Sequence, residues 1–517
     1  MNNHNSHLTS EMKADNLIEW LREYAEKFLN LQLADERRCI PPYVFMDWGN
    51  QGIFGLNVPE EYGGLGLSEK DYTRVIMQLG AIDMALAMVV VIHTENGIGP
   101  ILRFGSEKAK QELIPLMASG RYIGAVGVTE PTFGTNFFEM KTTAAKKHDQ
   151  WILNGIKRWN SANWATVINV FAIAKGDGLM ERGMTGFTVL KSQPGVEMGP
   201  EALTIGARAI MQNGMIFKDV RIDNEYVLGA PYKGGDILES MLSHARISST
   251  YILLGGMKRA MQKVMRFLTR RKMPGATLID YPFIVEKLND ASSAIVSIEK
   301  LAGMVCEIDE TQQSLRSLLG ELLKVAASEF GMKIIKQCMH MAGGRGYMEN
   351  NDFGRLMRDS LASYYGEGAN DGLLYLAGKD ILYKTEFVDY LERTFGRDPE
   401  LEEFKRLLQC AKTNCAAPQA PKNYSFYLLP HLGMLGLFML LNGVSKKIYT
   451  HDAQRWAHKK LSKRLKSFRD EILDFNQIPD KNEISQLMDS WSHEIGDIDF
   501  NMAGIETKRD PLLKKVI

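Results

Sequence analysis

The sequence around Glu367 suggests that this side chain takes part in chemistry. It stands between two glycines in the segment YYGEGANDG, after an apolar stretch and before LLYLAG. Glycines let the backbone bend sharply, so that one residue could present both its carboxylate and its N–H group to a ligand. A Glu side chain has an ordinary pKa of about 4.3 and is a weak base in water, but burial would raise that pKa. A lone Glu in such a turn is usually solvated, and the other motifs must decide between the two interpretations.

Two further segments place polar groups beside exposed backbone. In VTEPTFGTN, the hydroxyls of Thr129 and Thr135 flank a strand end that is broken by Pro131, which leaves backbone N–H groups free. In KRWNSAN, Trp159 and Ser161 are two residues apart, so that a ring and a hydroxyl share one face of a strand. Both features suit a flat heteroaromatic ligand. A turn closed by its own hydroxyls and an ordinary core Trp would have the same pattern.

These motifs lie in a chain whose patterning changes twice. Apolar residues recur at three- and four-residue steps in LIEWLREYAEKFL, and helical patterns continue to about residue 120. Short segments rich in branched and aromatic residues follow, from residue 122 to about 229, and the pair Asn154-Gly155 predicts a tight turn there. Long helical patterns return from residue 236. This order of helices, strands and helices argues against a doubly wound sheet.

Length, charge and cysteine content limit the class of protein. The 517 residues suggest several domains, and Lys plus Arg balance Asp plus Glu at 62 each, so that no global field favours nucleic acid or lipid. The five cysteines lack metal-type spacing, and we expect neither metal nor disulfides. The N-terminus lacks a signal pattern and the apolar run LGMLGLFMLL is short for a membrane span, so we expect a cytoplasmic protein without a transmembrane segment.

Five motifs occur in one order and carry a family resemblance: PEEYGGLG, VTEPTFGTN, LNGIKRWNSA, MAGGRGY and MRDSLASYYGEG. Together they resemble the acyl-CoA dehydrogenase family from about residue 17 to 382. The resemblance implies an α+β multidomain fold with an N-terminal helical domain (1–121), a middle β domain (122–235) and a C-terminal four-helix bundle (236–390). Residues 391–517 are expected to form an extra helical appendage.

The resemblance also implies FAD as the cofactor. Arg271 would reach the FAD pyrophosphate of a neighbouring subunit, which implies a homodimer or homotetramer, and two adjacent glycines would allow close backbone approach there. Pro274 and Pro282 replace residues common in the family, so we expect this contact to differ in detail. The positions that match the family's FAD-binding residues are Val128, Thr129, Gly134, Thr135, Trp159, Ser161, Arg271, Gly343 and Gly344.

By the same resemblance, Glu367 is the catalytic base. It lies eight residues after Asp359, the interval that the family keeps, and the base position of some relatives is occupied here by Ala245, which cannot take a proton. Glu367 would remove the α-proton of an acyl thioester, while its N–H group stabilises the enolate-like charge on the carbonyl oxygen. A hydride would pass from the β carbon to flavin N5, giving a trans-2-enoyl thioester.

The acyl end of the predicted site carries unusual polar residues. His93, Thr94 and Glu95 occupy the helix that closes the acyl pocket in relatives, so we expect a wider or more polar pocket. The same side chains could instead cap a turn before Asn96-Gly97. The residues that the resemblance assigns to substrate binding are Thr135, Arg246, Gly368, His93 and Thr94.

A basic helix is predicted at residues 445–469, with an apolar stripe that includes Ala457, Leu461, Leu465 and Phe468. It is either a solvated face packed on a bundle or a docking surface for an acidic partner. An acyl carrier protein, a membrane surface and a nucleic-acid backbone would all qualify as that partner.

Three functions therefore remain open. The first is an FAD-dependent acyl-CoA or acyl-carrier-protein dehydrogenase of fatty acid or secondary metabolism, which hands electrons to an electron-transfer flavoprotein. The second is an acyl-thioester oxidase, which uses O₂ instead. The third is a flavoprotein without dehydrogenase activity that binds an acidic partner or DNA through the basic helix. The sequence defines neither the acyl group nor its carrier.

Overall fold

The computed structural model divides the chain into two compact units. Unit 1 comprises Met1–Asn370 and Thr450–Ala453, and unit 2 comprises Asp371–Tyr449 and Gln454–Ile517. The residues that the structure describes are 8–161, 163–176, 181–474 and 478–496. The end of the predicted C-terminal extension, residues 497–517, lies outside them. The bounds of the four predicted domains stay a prediction.

Unit 1 begins with seven helices. Ser68 and Ser106 cap two of them, accepting hydrogen bonds from the N–H groups of Asp71 and Ala109 at 3.2 and 3.1 Å. Between the fifth and sixth helix the chain continues as a π-helical segment, Ile92–Ile98. The helices are α1 Ser10–Phe28, α2 Leu31–Arg37, α3 Pro42–Asn50, α4 Glu69–Ile82, α5 Met84–Val91, α6 Gly99–Phe104 and α7 Glu107–Ala118.

An eight-stranded mixed sheet follows, with the order β6-β7-β3-β2-β4-β5-β8 and β1 paired with β4. The strands are β1 Gly124–Gly127, β2 Thr143–Lys147, β3 Gln150–Asn160, β4 Val167–Lys175, β5 Arg182–Leu190, β6 Val196–Glu201, β7 Asn213–Asp223 and β8 Val227–Leu228. Trp151 and Phe187 are buried in its core. The tight turn predicted at Asn154-Gly155 is wrong: both residues lie inside β3, where the pairing with β7 shifts register at a bulge. Gly155 adopts φ 152° there, which is open to glycine and unfavourable for other residues.

Long helices complete unit 1. After the small hairpin of β9 Lys272–Met273 and β10 Ala276–Thr277, the chain returns to helices of bundle type. Helices α4 and α8 approach closely at Gly80 and Gly255, where any side chain would overlap the facing backbone. The helices are α8 Gly234–Leu268, α9 Pro282–Cys306, α10 Gln313–Met341 and α11 Phe353–Tyr365.

Unit 2 is helical in its described residues. Gly378 and Gly433 let two of its helices pack backbone to backbone, because a side chain at either position would overlap the other helix. The helices are α12 Asn370–Tyr383, α13 Glu386–Phe395, α14 Pro399–Ala416, α15 Tyr424–Ser445, α16 His451–Ser467 and α17 Lys481–Ile495.

Two helical stretches among the described residues are apolar and long enough to cross a membrane. They are Met84–Phe104 and Tyr424–Ser445, and 89% and 78% of their most apolar windows are buried within the protein. The run LGMLGLFMLL lies in the second, where Leu432 and Leu441 are fully buried. This burial is typical of core helices.

Candidate active site

The turn after α11 presents Glu367 in a strained backbone conformation. Glu367 has φ 57°, in the left-handed region that few residues other than glycine adopt, and Gly368 follows with φ 101°. The amide nitrogen of Asn96, in the π-helical segment, lies 3.5 Å from the Glu367 carboxylate. The strain and this neighbour indicate that the surrounding protein holds the carboxylate in place.

A buried lysine, Lys324, fixes the turn by hydrogen bonds. Lys324, on α10, is 1% exposed, and its ammonium group donates to the carbonyl of Gly368 at 2.6 Å and to the side chain of Asn370 at 2.9 Å. It also donates to the carbonyl of Tyr364 at 3.3 Å. Sequence reasoning missed Lys324; the signal was a lone Lys within the apolar helical run ELLKVAASEF.

Arg246 holds the same turn from α8. Its Nε donates to the carbonyl oxygen of Glu367 at 3.1 Å, and its Nη1 forms an ion pair of 3.3 Å with Glu321. Arg246 is 5% exposed, so the ion pair is almost dry. The structure therefore gives Arg246 a positioning role, and its contact with substrate stays a prediction. The same holds for Gly368, whose carbonyl accepts from Lys324.

The electrostatics of the turn strengthen Glu367 as a base. Burial raises the pKa of Glu367 above its ordinary value, against the opposing effects of Asn96, Arg246 and Lys324. Burial, together with the charge of Arg246, lowers the pKa of Lys324 to about 7. A carboxylate with a raised pKa binds a proton more tightly than an ordinary Glu, which is what removal of a carbon-bound proton requires.

The predicted flavin-binding segment VTEPTFGTN is anchored by a buried ion pair. Glu130 accepts hydrogen bonds from the N–H groups of Lys141 and Thr142, both at 2.9 Å, and pairs with Lys157 at 2.9 Å. Lys157 also donates to the carbonyl of Val128 at 2.8 Å. The predicted residues Thr129, Gly134 and Thr135 lie along this fixed segment, and open space surrounds the Gly134 position.

Trp159 presents its ring to the surface beside that segment. Its backbone has φ 56° and the residue is 41% exposed. It is therefore not the ordinary core Trp that the sequence also allowed. The carbonyl of Thr129 accepts from the N–H group of Arg158 at 2.9 Å, so that the end of β3, which carries Trp159, is joined to the VTEPTFGTN segment. Ser161 lies just past the end of β3, so the prediction that it shares a strand face with Trp159 is wrong. The two motifs predicted to bind the flavin are therefore neighbours.

The third group of predicted FAD residues surrounds a separate cavity. Arg271, Gly343 and Gly344 all line it, and its volume is about 470 Å³. Gly343 has φ 61°, and no atom lies near the side-chain position of either glycine. A cationic side chain and open backbone around an empty space fit a phosphate-bearing cofactor. The residues present thus fit FAD, while the role of each stays a prediction.

At the predicted acyl end, two of the polar side chains are fully used by the protein. His93 is buried; its Nδ1 accepts from the N–H group of Gly124 at 2.9 Å, and its Nε2 donates to the carbonyl of Met117 at 3.1 Å. Burial lowers the pKa of His93 to about 4. The hydroxyl of Thr94 bonds that of Tyr72 at 2.8 Å. These hydrogen bonds stabilise the fold. Contact of His93 and Thr94 with substrate stays a prediction.

The structure thus places a strained, buried carboxylate on a tethered turn within a helix–sheet–helix scaffold. Comparison with protein-family profiles gives three matches: acyl-CoA dehydrogenase N-terminal domain at residues 12–121, middle domain at 125–220 and C-terminal domain at 233–382. The chain belongs to the acyl-CoA dehydrogenase family.

Individual relatives agree. The chain is 30% identical to the mouse mitochondrial short-chain specific acyl-CoA dehydrogenase over 355 residues, covering 68% of this chain and 85% of that protein. The structure of butyryl-CoA dehydrogenase from Megasphaera elsdenii is 25% identical, with a TM-score of 0.67 over 73% of this chain and 99% of that one.

One solved structure also includes the C-terminal extension. An acyl-CoA dehydrogenase from Bacillus anthracis, complexed with FAD, covers 98% of this chain and 94% of its own, with a TM-score of 0.77 and 20% identity. At that identity the likeness concerns the fold alone. The predicted family, the predicted fold class and the prediction of an FAD-dependent oxidoreductase are confirmed.

Proposed function

We propose that this protein is an FAD-dependent dehydrogenase that converts an acyl thioester, borne by CoA or an acyl carrier protein, to the trans-2-enoyl thioester. The observation that carries the proposal is the Glu367 turn, where a carboxylate of raised pKa is held by Arg246 and Lys324. Membership of the acyl-CoA dehydrogenase family supports the class of substrate.

The residues of the turn divide the work. The Glu367 carboxylate takes the α-proton, and the Glu367 N–H group, in its left-handed backbone conformation, donates to the thioester oxygen. Arg246 holds the carbonyl of Glu367 and Lys324 holds that of Gly368, which keeps base and donor in one geometry. FAD, when bound, supplies the acceptor for the hydride that leaves the β carbon.

The test is flavin reduction without oxygen. We expect some acyl-CoA or acyl-carrier thioester to bleach the flavin absorbance of the wild type. Glu367→Gln keeps the size and hydrogen bonding of the side chain but cannot accept the proton, so it should bind FAD and lose at least about 10²-fold in bleaching rate. Glu26→Gln, on the exposed face of α1, is the matched control and should bleach normally. Equal bleaching by Glu367→Gln would remove Glu367 from the mechanism.

The electron acceptor distinguishes the proposed dehydrogenase from an oxidase. Like its relatives, the reduced enzyme is expected to pass electrons to an electron-transfer flavoprotein. An oxidase would instead consume one O₂ for each thioester oxidised. Oxygen uptake during turnover, with and without an electron-transfer flavoprotein, separates the two.

The basic helix α16 supports a docking role in unit 2. Lys459, Lys463 and Lys466 are exposed along it, while Ala457 and Leu461 on the opposite side are fully buried. An amphipathic basic face of this kind suits an acidic partner, and a carrier protein that delivers the acyl group is the partner we propose. DNA binding by a flavoprotein without dehydrogenase activity is the alternative, and loss of turnover in Glu367→Gln would argue against it. We further propose a cytoplasmic homodimer or homotetramer.

A further inference from the structure

Helix α17, Lys481–Ile495, exposes an apolar side to solvent. Every residue of this helix is exposed. Five apolar side chains recur along it at steps of three and four residues, so they form one continuous stripe. The stripe consists of Ile484, Leu487, Met488, Trp491 and Ile495, which are between 48% and 73% exposed.

A helix in this state gains stability from a partner. Helix α17 has 15 residues, and isolated helices of about that length are only marginally stable in water. Most helices in proteins are stabilised by packing of their apolar side. Contiguous exposed apolar side chains, bordered by polar ones, are typical of surfaces that bind another molecule. We therefore expect the stripe of α17 to be covered in the assembled protein.

An acidic edge beside the stripe limits the kind of partner. Glu483 lies one turn before Leu487, and Glu494 lies one turn after Trp491, so both carboxylates are on the same edge of the stripe. Helices that lie on lipid surfaces are typically rich in Lys and Arg on their polar side. The acidic edge instead favours a protein surface that combines apolar side chains with positive charge.

Unit 2 presents a second apolar surface, formed by α12 and the start of α15. The rings of Tyr375 and Phe426 stack there, with 5.6 Å between their centroids. Leu376 and Tyr383 lie two turns apart on one side of α12 and extend this aromatic surface. Phe426, Tyr383 and Leu376 are 66%, 62% and 39% exposed.

Two lysines border the aromatic surface. Lys379 is exposed on α12, one turn from both Leu376 and Tyr383, and Lys422 is exposed just before α15 begins. The aromatic surface therefore has both properties that the stripe of α17 requires. Within one chain the two do not cover each other, because the apolar side chains of both stay exposed.

We propose that two copies of this chain exchange α17, so that the stripe of each copy packs on the aromatic surface of the other. The acidic edge of each α17 then faces the lysines that border that surface. A helix of about 22 Å buries less on its own than the roughly 1,600 Å² of total surface in a stable interface. Because the exchange is symmetric, each pair of copies contains two such contacts. The exchange concerns assembly and does not rest on the proposed chemistry.

Analytical ultracentrifugation of the full-length, FAD-loaded protein across concentration tests the exchange. Leu487→Asp/Trp491→Asp places two charges in the stripe and should raise the dissociation constant of the assembly at least about 10-fold. Gln486→Asp/His493→Asp makes the same change on the polar side of α17 and should associate like the wild type. Since no residue of α17 is buried in the chain, both double variants should keep the unfolding midpoint and flavin content of the wild type.

A reversal of charges identifies the two surfaces and the copy that each belongs to. Glu483→Lys/Glu494→Lys and Lys379→Glu/Lys422→Glu should each weaken association, since like charges then meet across the contact. A mixture of these two double variants should associate like the wild type. In the mixed pair of copies, both contacts again join opposite charges.

A wild type that stays monomeric would overturn the inference, as would an unchanged dissociation constant in Leu487→Asp/Trp491→Asp. A mixture of the charge-reversed variants that associates no better than its components would also overturn it. That last result is expected if α17 packs on its own chain or on a different protein. Flavin bleaching by a thioester reports on the proposed function separately.

Discussion

At the scale of single residues, burial shifts the pKa values of Glu367 and Lys324 in opposite directions. Burial raises the pKa of the carboxylate and lowers that of the ammonium group to about 7, while their mutual attraction acts in the opposite direction on both. Lys324 still makes three hydrogen bonds to the turn, so it is both a structural tether and a source of charge. Burial and the nearby positive charges therefore act against each other in setting the pKa of Glu367.

The pH dependence of flavin reduction follows from this balance. Only ionised Glu367 can accept the proton, and its pKa is raised, so the bleaching rate should rise with pH through a higher range than an ordinary Glu would give. Lys324→Met removes a nearby positive charge and should move that rise to still higher pH. The effect should be largest below about pH 7, where Lys324 is charged.

Stopped-flow recording of flavin bleaching across pH measures the profiles of the wild type and of Lys324→Met. The acyl-CoA used should not change its charge over that pH range. Lys333→Met, on the exposed side of the same helix, is the control and should match the wild type. A Lys324→Met profile that coincides with the wild-type profile would mean that Lys324 does not influence the base.

At the scale of elements, the ion pair Glu130–Lys157 determines whether the segment VTEPTFGTN keeps its shape. Lys157 is fully buried, and burial lowers its pKa to about 8. Lys157→Met would leave Glu130 buried without its partner, which costs roughly 3–5 kcal/mol. We expect the midpoint of thermal unfolding to fall by several degrees and FAD to dissociate more readily.

The exposed pair Lys218–Glu197 provides the matched control, since both charges are half-exposed at 63% and 50%. Lys218→Met should change stability by no more than about 1 kcal/mol. Combining Lys157→Met with Glu130→Gln should recover part of the loss, because no buried charge then remains unpaired. If both single variants melted alike, the buried pair would have no special role in this segment.

The sequence predicts these elements well where local patterns decide and poorly where distant contacts do. Helical periodicity and strand composition suffice for the helix–sheet–helix order. The family resemblance selects Glu367, whose role as the base stays a prediction. The pair Asn154-Gly155 favours a turn locally, yet pairing of β3 with β7 on both sides makes it a bulge. The lone Lys324 in an apolar run is visible in the sequence, but its contacts with the turn could not be predicted, because its partners at Gly368 and Asn370 are more than 40 residues away.

At the scale of the whole molecule, the cavity around Arg271 connects cofactor binding with assembly. Tyr347 and Met348 beside it are 84% and 55% exposed, and apolar side chains so exposed are typical of surfaces that another chain covers. If a neighbouring subunit completes this cavity, Tyr347→Asp should weaken both subunit association and FAD retention. Arg271→Gln should weaken FAD retention alone, since it removes only a charged contact.

Analytical ultracentrifugation combined with flavin content after gel filtration measures both properties. Tyr449→Asp makes the same change at a fully exposed residue of unit 2 and should alter neither. A wild type that sediments as a monomer with FAD bound would refute the link between assembly and cofactor.

Burial of His93 affects the pH range over which the protein stays folded. Its unprotonated ring joins α7 to β1 through Met117 and Gly124, and a proton on Nδ1 would break the bond that this atom accepts. With a folded-state pKa of about 4, the ring stays neutral where an unfolded His, with an ordinary value of 6.5, would already take up a proton. Acidification between those values therefore favours the unfolded chain by up to about 1.4 kcal/mol per pH unit. Burial of this one imidazole therefore makes mild acid destabilise the contact between helix α7 and strand β1, and it suits the enzyme to neutral media.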